Sequence, residues 1–367
     1  MGNWIFDENQ NSHDSFVAHV MTKGIQLALL AALLFGVSAP VAKLLVTQLP
    51  VQSLAAALYI GSGFGLMLVS GIRRGIQKTE PAIQPAQLPY LAGAIVSGGI
   101  IAPVLLLYGL RGTPGSNAAL FLNLESVFTV LIAWFVFREN LGPRIALGMV
   151  VIVAGSVLLS WSDGAGPAYG LRGPLALAGA CLFWGIDNNL TQKISTANAV
   201  QIAKWKGLAG GGTNLLLAYL LGERPAVGAF VLLALVVGFL GYGVSLVLYI
   251  RAMRDLGAAR AGNYFSISPF VGAVAGLLLF QENITIRLIG SGVLMALGIW
   301  LHVTERHSHW HVHEPMTHDH VHIHDMHHQH EHGPGDPKGE PHSHPHVHSR
   351  LEHSHPHFPD IHHQHDH

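Results

Sequence analysis

The chain has 367 residues, is 50% hydrophobic and only 11% charged, and has a mean hydropathy of +0.39. Soluble domains carry about 25% charged residues, so this composition excludes an ordinary soluble domain and indicates an integral membrane protein. The formal net charge of −1 comes from 20 basic and 21 acidic residues spread over the chain, which gives no footprint for nucleic acid.

Residues 1–23 contain Trp4, Asp7, Glu8 and Asp14 and lack the basic opening and cleavage site of a signal peptide. The segment reads as a cytoplasmic N-terminus, and the first apolar helix is expected to stay in the protein. Hydropathy then predicts ten spans at 24–47, 51–72, 88–110, 115–137, 142–161, 173–193, 198–221, 226–250, 259–280 and 284–303. Apolar runs of more than 18 residues without strict alternation indicate helices rather than barrel strands. Short connections such as 48–50 and 163–167 predict that consecutive helices are antiparallel neighbours. One cysteine, Cys181, lies in an apolar run, so no disulfide framework is expected and a small core residue is the reading.

Basic residues set the expected orientation. With the N-terminus inside, inner loops and ends hold Lys23, Arg73, Arg74, Lys78, Arg138, Arg144, Lys193, Arg251, Arg254, Arg260 and Arg306, and outer ones only Arg111, Arg172, Arg224 and Arg287. This bias predicts cytoplasmic N- and C-termini in a multi-pass protein of the inner membrane.

The chain repeats itself. Ser116–Leu141 closes on Phe-Arg-Glu-Asn-Leu, and Gly262–Ile284 closes on Phe-Gln-Glu-Asn-Ile, which aligns Phe137, Glu139 and Asn140 with Phe280, Glu282 and Asn283 at an offset of 143. Phe35-Gly36 before Pro40 and Lys43 parallels Trp184-Gly185 before Asn188, Asn189 and Lys193, and Tyr108 is paired with Tyr249. Five helices per repeat is an odd number, so the halves are expected to be inverted, an architecture that places a site near the midplane between them. The predicted fold is all-α: a first repeat over 24–161, a linker at 162–172, a second repeat over 173–303 and a tail over 304–367.

These residues resemble the drug/metabolite transporter superfamily, in its EamA-like branch. The resemblance covers residues 24–303 and rests on the aromatic-Gly openings, the NLESVFTVLIAWFVFREN helix and the PFVGAVAGLLLFQEN helix. It implies ten helices, an inverted repeat, a central cavity, and transport of small metabolites, often export, without ATP.

Five charged side chains fall inside the predicted spans: Lys43, Glu125, Asp187, Lys204 and Lys206. Such residues face a bundle interior or a water-filled cavity. Glu125, deepest and without a basic partner on its own helix, reads as the coupling or substrate carboxylate, suited to taking a proton on one side and releasing it on the other. Asp187 and Lys204 flank the Ser195–Thr196 connection symmetrically, which predicts their contact; the competing reading is that such pairs only neutralise each other and fix packing. Lys206 is expected on another face, approaching Glu125. Asn117, Asn123, Asn188, Asn189, Asn263 and Ser266 are candidates to line the cavity, against the alternative of helix-to-helix hydrogen bonds. Glu139 and Glu282 read as caps or interfacial residues. Pro40, Pro269 and Gly210–Gly212 are expected to kink their helices, and Trp134, Trp161, Trp184 and Trp300 to pack or anchor.

From His302 onward there are 24 histidines among recurrent Asp, Pro and Gly. This low-complexity composition predicts a disordered tail. Imidazole suits Zn, Ni, Co and Cu, and the candidate ligands are His307, His309, His311, His313, His318, His320, His322, His324, His342, His344, His346 and His348.

The functional expectation is a secondary active exporter of a small metabolite with a metal-binding tail and no required cofactor. A divalent-metal permease is the first alternative, and a membrane-tethered metal store or sensor the second. No Walker sequence, nucleotide fingerprint or paired catalytic motif is present, so no enzyme is expected. Partners are a small-molecule or ion substrate and the lipid bilayer, not nucleic acid; self-association as a homodimer is left open.

Overall fold

In the computed structural model, residues 6–72, 81–137, 142–160, 171–223, 227–256, 258–304, 307–313, 316–322, 342–348 and 351–357 are described, with backbone alone at 6–20, 72, 137, 258–260, 263 and the tail strands. The helices in order are α1 (Phe6–Leu45), α2 (Val51–Ile72), α3 (Leu88–Ala94), α4 (Ala102–Arg111), α5 (Gly115–Phe121), α6 (Leu124–Phe137), α7 (Pro143–Ser160), α8 (Arg172–Lys193), α9 (Ala199–Leu220), α10 (Ala229–Val237), α11 (Ser245–Leu256), α12 (Ala258–Phe265), α13 (Ser268–Phe280) and α14 (Ile286–Val303). Helical segments therefore fill each of the ten expected intervals. Among the described residues, seven stretches are long and apolar enough to cross a membrane. Neither α8, with Arg172, Asp187 and Lys193, nor α9, with Lys204 and Lys206, is among them.

The outer surface of the helices is apolar. Leu33, Phe64, Leu68, Val150, Val157, Leu215, Leu278 and Val293 are all exposed, an apolar cover far beyond that of a water-soluble monomer.

The internal repeat is visible in the element bounds. Val51 and Ile72 of α2 precede Ala199 and Leu220 of α9 by 148 residues. Pro143 and Ser160 of α7 precede Ile286 and Val303 of α14 by 143. A π-helical turn joins α3 to α4 at Ile95–Ile101 and another joins α10 to α11 at Gly238–Val244, again 143 apart. The first half thus carries five extra residues between its second and third spans, in the long polar connection. At that offset Tyr108 aligns with Arg251, not with Tyr249, so the tyrosine pairing expected from the sequence is not part of the repeat.

Packing exchanges partners between the halves. α1 packs on α11 and α13, and its counterpart α8 packs on α4 and α6; α2 packs on α9, and α7 on α14. Consecutive helices were expected to be neighbours, yet neither α1 and α2 nor α8 and α9 pack along their lengths. The physical reason lies in small residues. Gly207 and Gly211 of α9, four apart, meet Gly63 and Tyr59–Ile60 of α2, so two backbones close as they do at small-xxx-small crossings. Gly210 meets Gly99 in the same way while Gly212 faces open space, and the Gly210–Gly212 run lies inside an unbroken α9, not at a kink. The break before Pro269 is present at Ser266–Ile267.

Gly36 and Gly185 show the same exchange: a Cβ on Gly36 would lie 2.5 Å from the Ser268 carbonyl and 2.9 Å from Val271 of α13, and one on Gly185 would lie 3.0 Å from Phe128 of α6. Gly36→Val is expected to lower stability by about 1–3 kcal/mol through overpacking, read as a fall in melting temperature of the detergent-purified protein.

The unit Arg306–Phe358 stands by itself. Within it β1 (His307–His313) pairs antiparallel with β4 (Leu351–His357), and β2 (Met316–His322) with β3 (His342–His348). Regular pairing here departs from the expected disorder over these residues. The alternating His-X-His sequence with interspersed Val has the two-residue period of a strand. The register sets His307 opposite His357, His309 opposite His355 and His311 opposite His353. It likewise sets His318, His320 and His322 opposite His346, His344 and His342. His324 lies outside the described residues.

Candidate functional site

A cavity partly open to the outside lies between the halves and draws its lining from α1, α2, α6, α8, α9, α11, α12 and the second π-turn.

Glu125 reaches the cavity because its span is broken. The chain leaves α5 at Phe121, turns at Leu122–Asn123, and restarts as α6 with Glu125 in the first turn. A half-helix N-terminus presents the positive end of its dipole, which suits a carboxylate there. Asn188 of α8 donates to Glu125 Oε1 at 2.8 Å and to Thr129 Oγ1 at 3.3 Å. Among the described residues no basic side chain lies within salt-bridge distance of Glu125.

Asp187 and Lys206 form a buried ion pair, with Lys206 Nζ 2.6 Å from Oδ1 and 2.8 Å from Oδ2. Thr191 donates to Asp187 Oδ1 at 3.0 Å, and Lys206 donates to Thr191 Oγ1 at 3.2 Å. The Asp187–Lys204 contact expected from the sequence is not formed; Lys204 lies over the Trp205 ring at 5.4 Å. Counting residues from the turn ignored side-chain direction. Helical side chains lean toward their own N-terminus, so Asp187 on α8 leans away from the turn while a lysine on α9 leans toward it. The partner must then start deeper, at Lys206, and residue 204 is on nearly the opposite face. Lys206 is held by Asp187, not by Glu125, although all three line one cavity.

The first π-turn frames this pair. Pro103 has no N–H, which leaves carbonyls of the preceding turn without helical partners. Tyr59 Oη donates to the Gly98 carbonyl and Asn214 Nδ2 donates to that of Gly99 at 2.9 Å. Gly98 has no room for a side chain, since its Cβ would sit 2.0 Å from Asp187 Oδ2.

Of the candidates, Glu125, Asp187, Asn188 and Lys206 come together. Asn123 instead donates to the Leu120 carbonyl at the α5–α6 break, Asn189 ties the Thr129 and Gly185 carbonyls, and Ser266 bonds back to Gly262 within its own segment. The side chain of Asn263 lies outside the described residues, as do Glu139 and Asn140. Sequence reasoning missed most of the aromatic lining, Phe35, Tyr59, Tyr242 and Phe265; Tyr249, singled out in the sequence for its pairing with Tyr108, and Trp184, expected only to pack or anchor, are also at the cavity. Phe35 stands edge-on to Trp184 and Tyr242, with ring centroids 5.7 and 5.8 Å apart. Aromatic residues at the helix pitch look like ordinary core in sequence, and only the concentration of rings from both halves marks a site.

Glu282 is a clamp between the halves. Its carboxylate accepts from the backbone N–H groups of Gly115 and Ser116 and from Ser116 Oγ, at the start of α5. Glu223 does the same for Gln52 N, Ser53 N and Ser53 Oγ at the start of α2. Capping was the expected role of Glu282, and Lys43 sits beside it, donating to the carbonyls of Leu110 and Thr113. Glu282→Gln is expected to cost about 0.5–2 kcal/mol, measurable as a lower melting temperature.

The family model for the EamA-like transporter family matches residues 22–161 and 171–304. An "Uncharacterized transporter" of Methanothermobacter thermautotrophicus is 28% identical over 286 residues, 74% of this chain and 83% of that protein. A "Probable amino-acid metabolite efflux pump" of Salmonella typhimurium is 22% identical over 208 residues, 52% of this chain and 68% of that one. A solved structure titled "Crystal structure of protein" shares the fold at a TM-score of 0.57 and 18% identity, covering 78% of this chain and 98% of its own. Broken apolar helices around a polar cavity and a family match along both halves lead to one assignment: this multi-pass membrane protein belongs to the EamA-like transporter family.

Proposed function

We propose that the chain is a secondary active transporter that exports a small metabolite by alternating access. Ten membrane-crossing helices in two inverted five-helix repeats would do this in the inner membrane, with both termini cytoplasmic. The observation that carries the reading is the cavity between the halves, where Glu125 has no basic partner among the described residues while helices of both halves supply the walls. Helix interfaces exchanged between the halves suit a rocking of one half on the other about that cavity. An efflux-pump relative agrees with export.

A metal permease is less well supported. Among the described residues no histidine or cysteine lines the cavity, and one of its two carboxylates is already held by Lys206, a thin ligand set for a dehydrated divalent cation.

The test is counterflow. The full chain is reconstituted in liposomes loaded with a metabolite extract, and external isotope-labelled extract is assayed for uptake by mass spectrometry. Solute exchange above protein-free liposomes supports the reading, and no exchange of any solute removes it.

The tail is proposed as a reservoir for Zn, Ni, Co or Cu, and the six opposed histidine pairs in its ladders support that role. Two-stranded ladders are marginal alone, so metal bridging would supply stability they lack. Truncation after Thr304 is expected to abolish zinc retention in equilibrium dialysis while changing counterflow by no more than about twofold, within the ±0.5 kcal/mol typical of changes away from a site.

A further inference from the structure

We propose that the cavity selects small organic amines with an apolar body and rejects molecules that carry a carboxylate. The inference rests on the transporter reading and deepens it by naming the class of substrate.

Charge in the cavity is lopsided. Its lining contains two acids, Glu125 and Asp187, and one cation, Lys206. An ammonium group has three N–H donors. Lys206 uses all three, on Asp187 Oδ1, Asp187 Oδ2 and Thr191 Oγ1. Among the described residues, nothing cationic in the lining is left to receive a carboxylate. Glu125, by contrast, holds one hydrogen bond, from the neutral Asn188 amide. With that carboxylate ionised the cavity carries one uncompensated negative charge, a partner for one ammonium.

The walls favour the same ligand. Phe35, Tyr59, Trp184, Tyr242, Tyr249 and Phe265 surround the space. A ring face attracts a cation by about 0.5–1 kcal/mol at an exposed site and about 2 kcal/mol when it is desolvated, and ring bodies accept an apolar chain. An amino acid would bring its carboxylate into this setting without a partner, and an unpaired buried charge is strongly disfavoured. Asp187 is thus the specificity-determining residue: by occupying Lys206 it withholds the one group that would welcome an acid.

Phenethylamine and phenylalanine share an apolar body and differ by one carboxylate. Equilibrium binding of each, radiolabelled, to the purified full chain in detergent is measured by scintillation proximity. Phenethylamine is expected to bind more tightly by about tenfold or more, since one unpaired polar group costs about 1–3 kcal/mol and a charged one more, at about 1.4 kcal/mol per decade. In Asp187→Asn the ammonium of Lys206 is released, so phenylalanine binding should rise by about tenfold, and phenylalanine should raise the melting temperature of that variant but not of the unaltered chain. Equal or tighter phenylalanine binding by the unaltered chain overturns the inference, whether or not the variant folds. A folded Asp187→Asn with unchanged preference also overturns it. Failure of both probes to bind overturns it too, while leaving the transporter reading in place wherever counterflow persists. Amine preference without counterflow would strike the transporter reading alone.

Discussion

Glu125→Gln is expected to reduce counterflow by roughly 10- to 150-fold while leaving the fold intact. Glutamine keeps the shape of the side chain and an oxygen to accept the 2.8 Å bond from Asn188. What it removes is the charge. A hydrogen bond to a charged group contributes about 1.5–3 kcal/mol, which converts to the stated factor at about 1.4 kcal/mol per decade. Stability should change little, because Glu125 has no salt-bridge partner among the described residues to be left behind. Initial rates in liposomes, normalised to incorporated protein, measure the effect, and a melting curve separates it from misfolding. Glu125→Asp restores the charge but shortens the reach, so it should recover part of the rate. Rates within twofold of the unaltered chain for Glu125→Gln would remove Glu125 from the transport step. A large loss accompanied by a collapsed melting curve would reassign it to structure.

Sequence carried the architecture further than the site. Long apolar runs locate the helices because the bilayer fixes their length, and the Phe-X-Glu-Asn landmarks hold the 143-residue offset that α7 and α14 keep. The offset of 148 between α2 and α9 was not legible, since these helices share only small and apolar residues. Hydropathy places Glu125 mid-membrane but cannot show the turn at Leu122–Asn123, which puts it at a helix N-terminus. The two π-turns are invisible for the same reason: a single extra residue per turn leaves composition unchanged. Asp187 was assigned the wrong lysine because residue counts give depth and not direction. Asn123 and Asn189 have the composition of cavity residues, yet both spend their amides on backbone carbonyls at helix breaks and crossings. Packing between the halves, which depends on Gly63, Gly207 and Gly211, decides which polar groups meet.

The Asp187–Lys206 pair should show strong, compensating couplings in a double-mutant cycle. Both residues are nearly inaccessible, at 6% and 4% exposure, so neither charge is relieved by water if its partner is removed. Lys206→Met leaves Asp187 with only the Thr191 hydroxyl, and Asp187→Asn leaves an ammonium facing neutral oxygens. Each single change is expected to cost about 3–5 kcal/mol, the usual penalty for breaking a buried pair from one side. The double variant Asp187→Asn with Lys206→Met removes both charges together. Its cost should fall below the sum of the singles by up to about 3 kcal/mol, the upper range for residues in direct contact. Gly98→Ala is an independent probe, because its added methyl would occupy the place of Asp187 Oδ2 and force the carboxylate off the lysine. It should therefore destabilise the unaltered chain by about 1–3 kcal/mol and the Asp187→Gly background, which also lacks the Cβ that would lie 2.7 Å away, by much less. Guanidinium-free thermal unfolding in one detergent gives all five values on one scale. Strict additivity across the cycle would mean that the two side chains do not share a free energy, and the pair would then lose its place as the element that fixes the charge of the cavity.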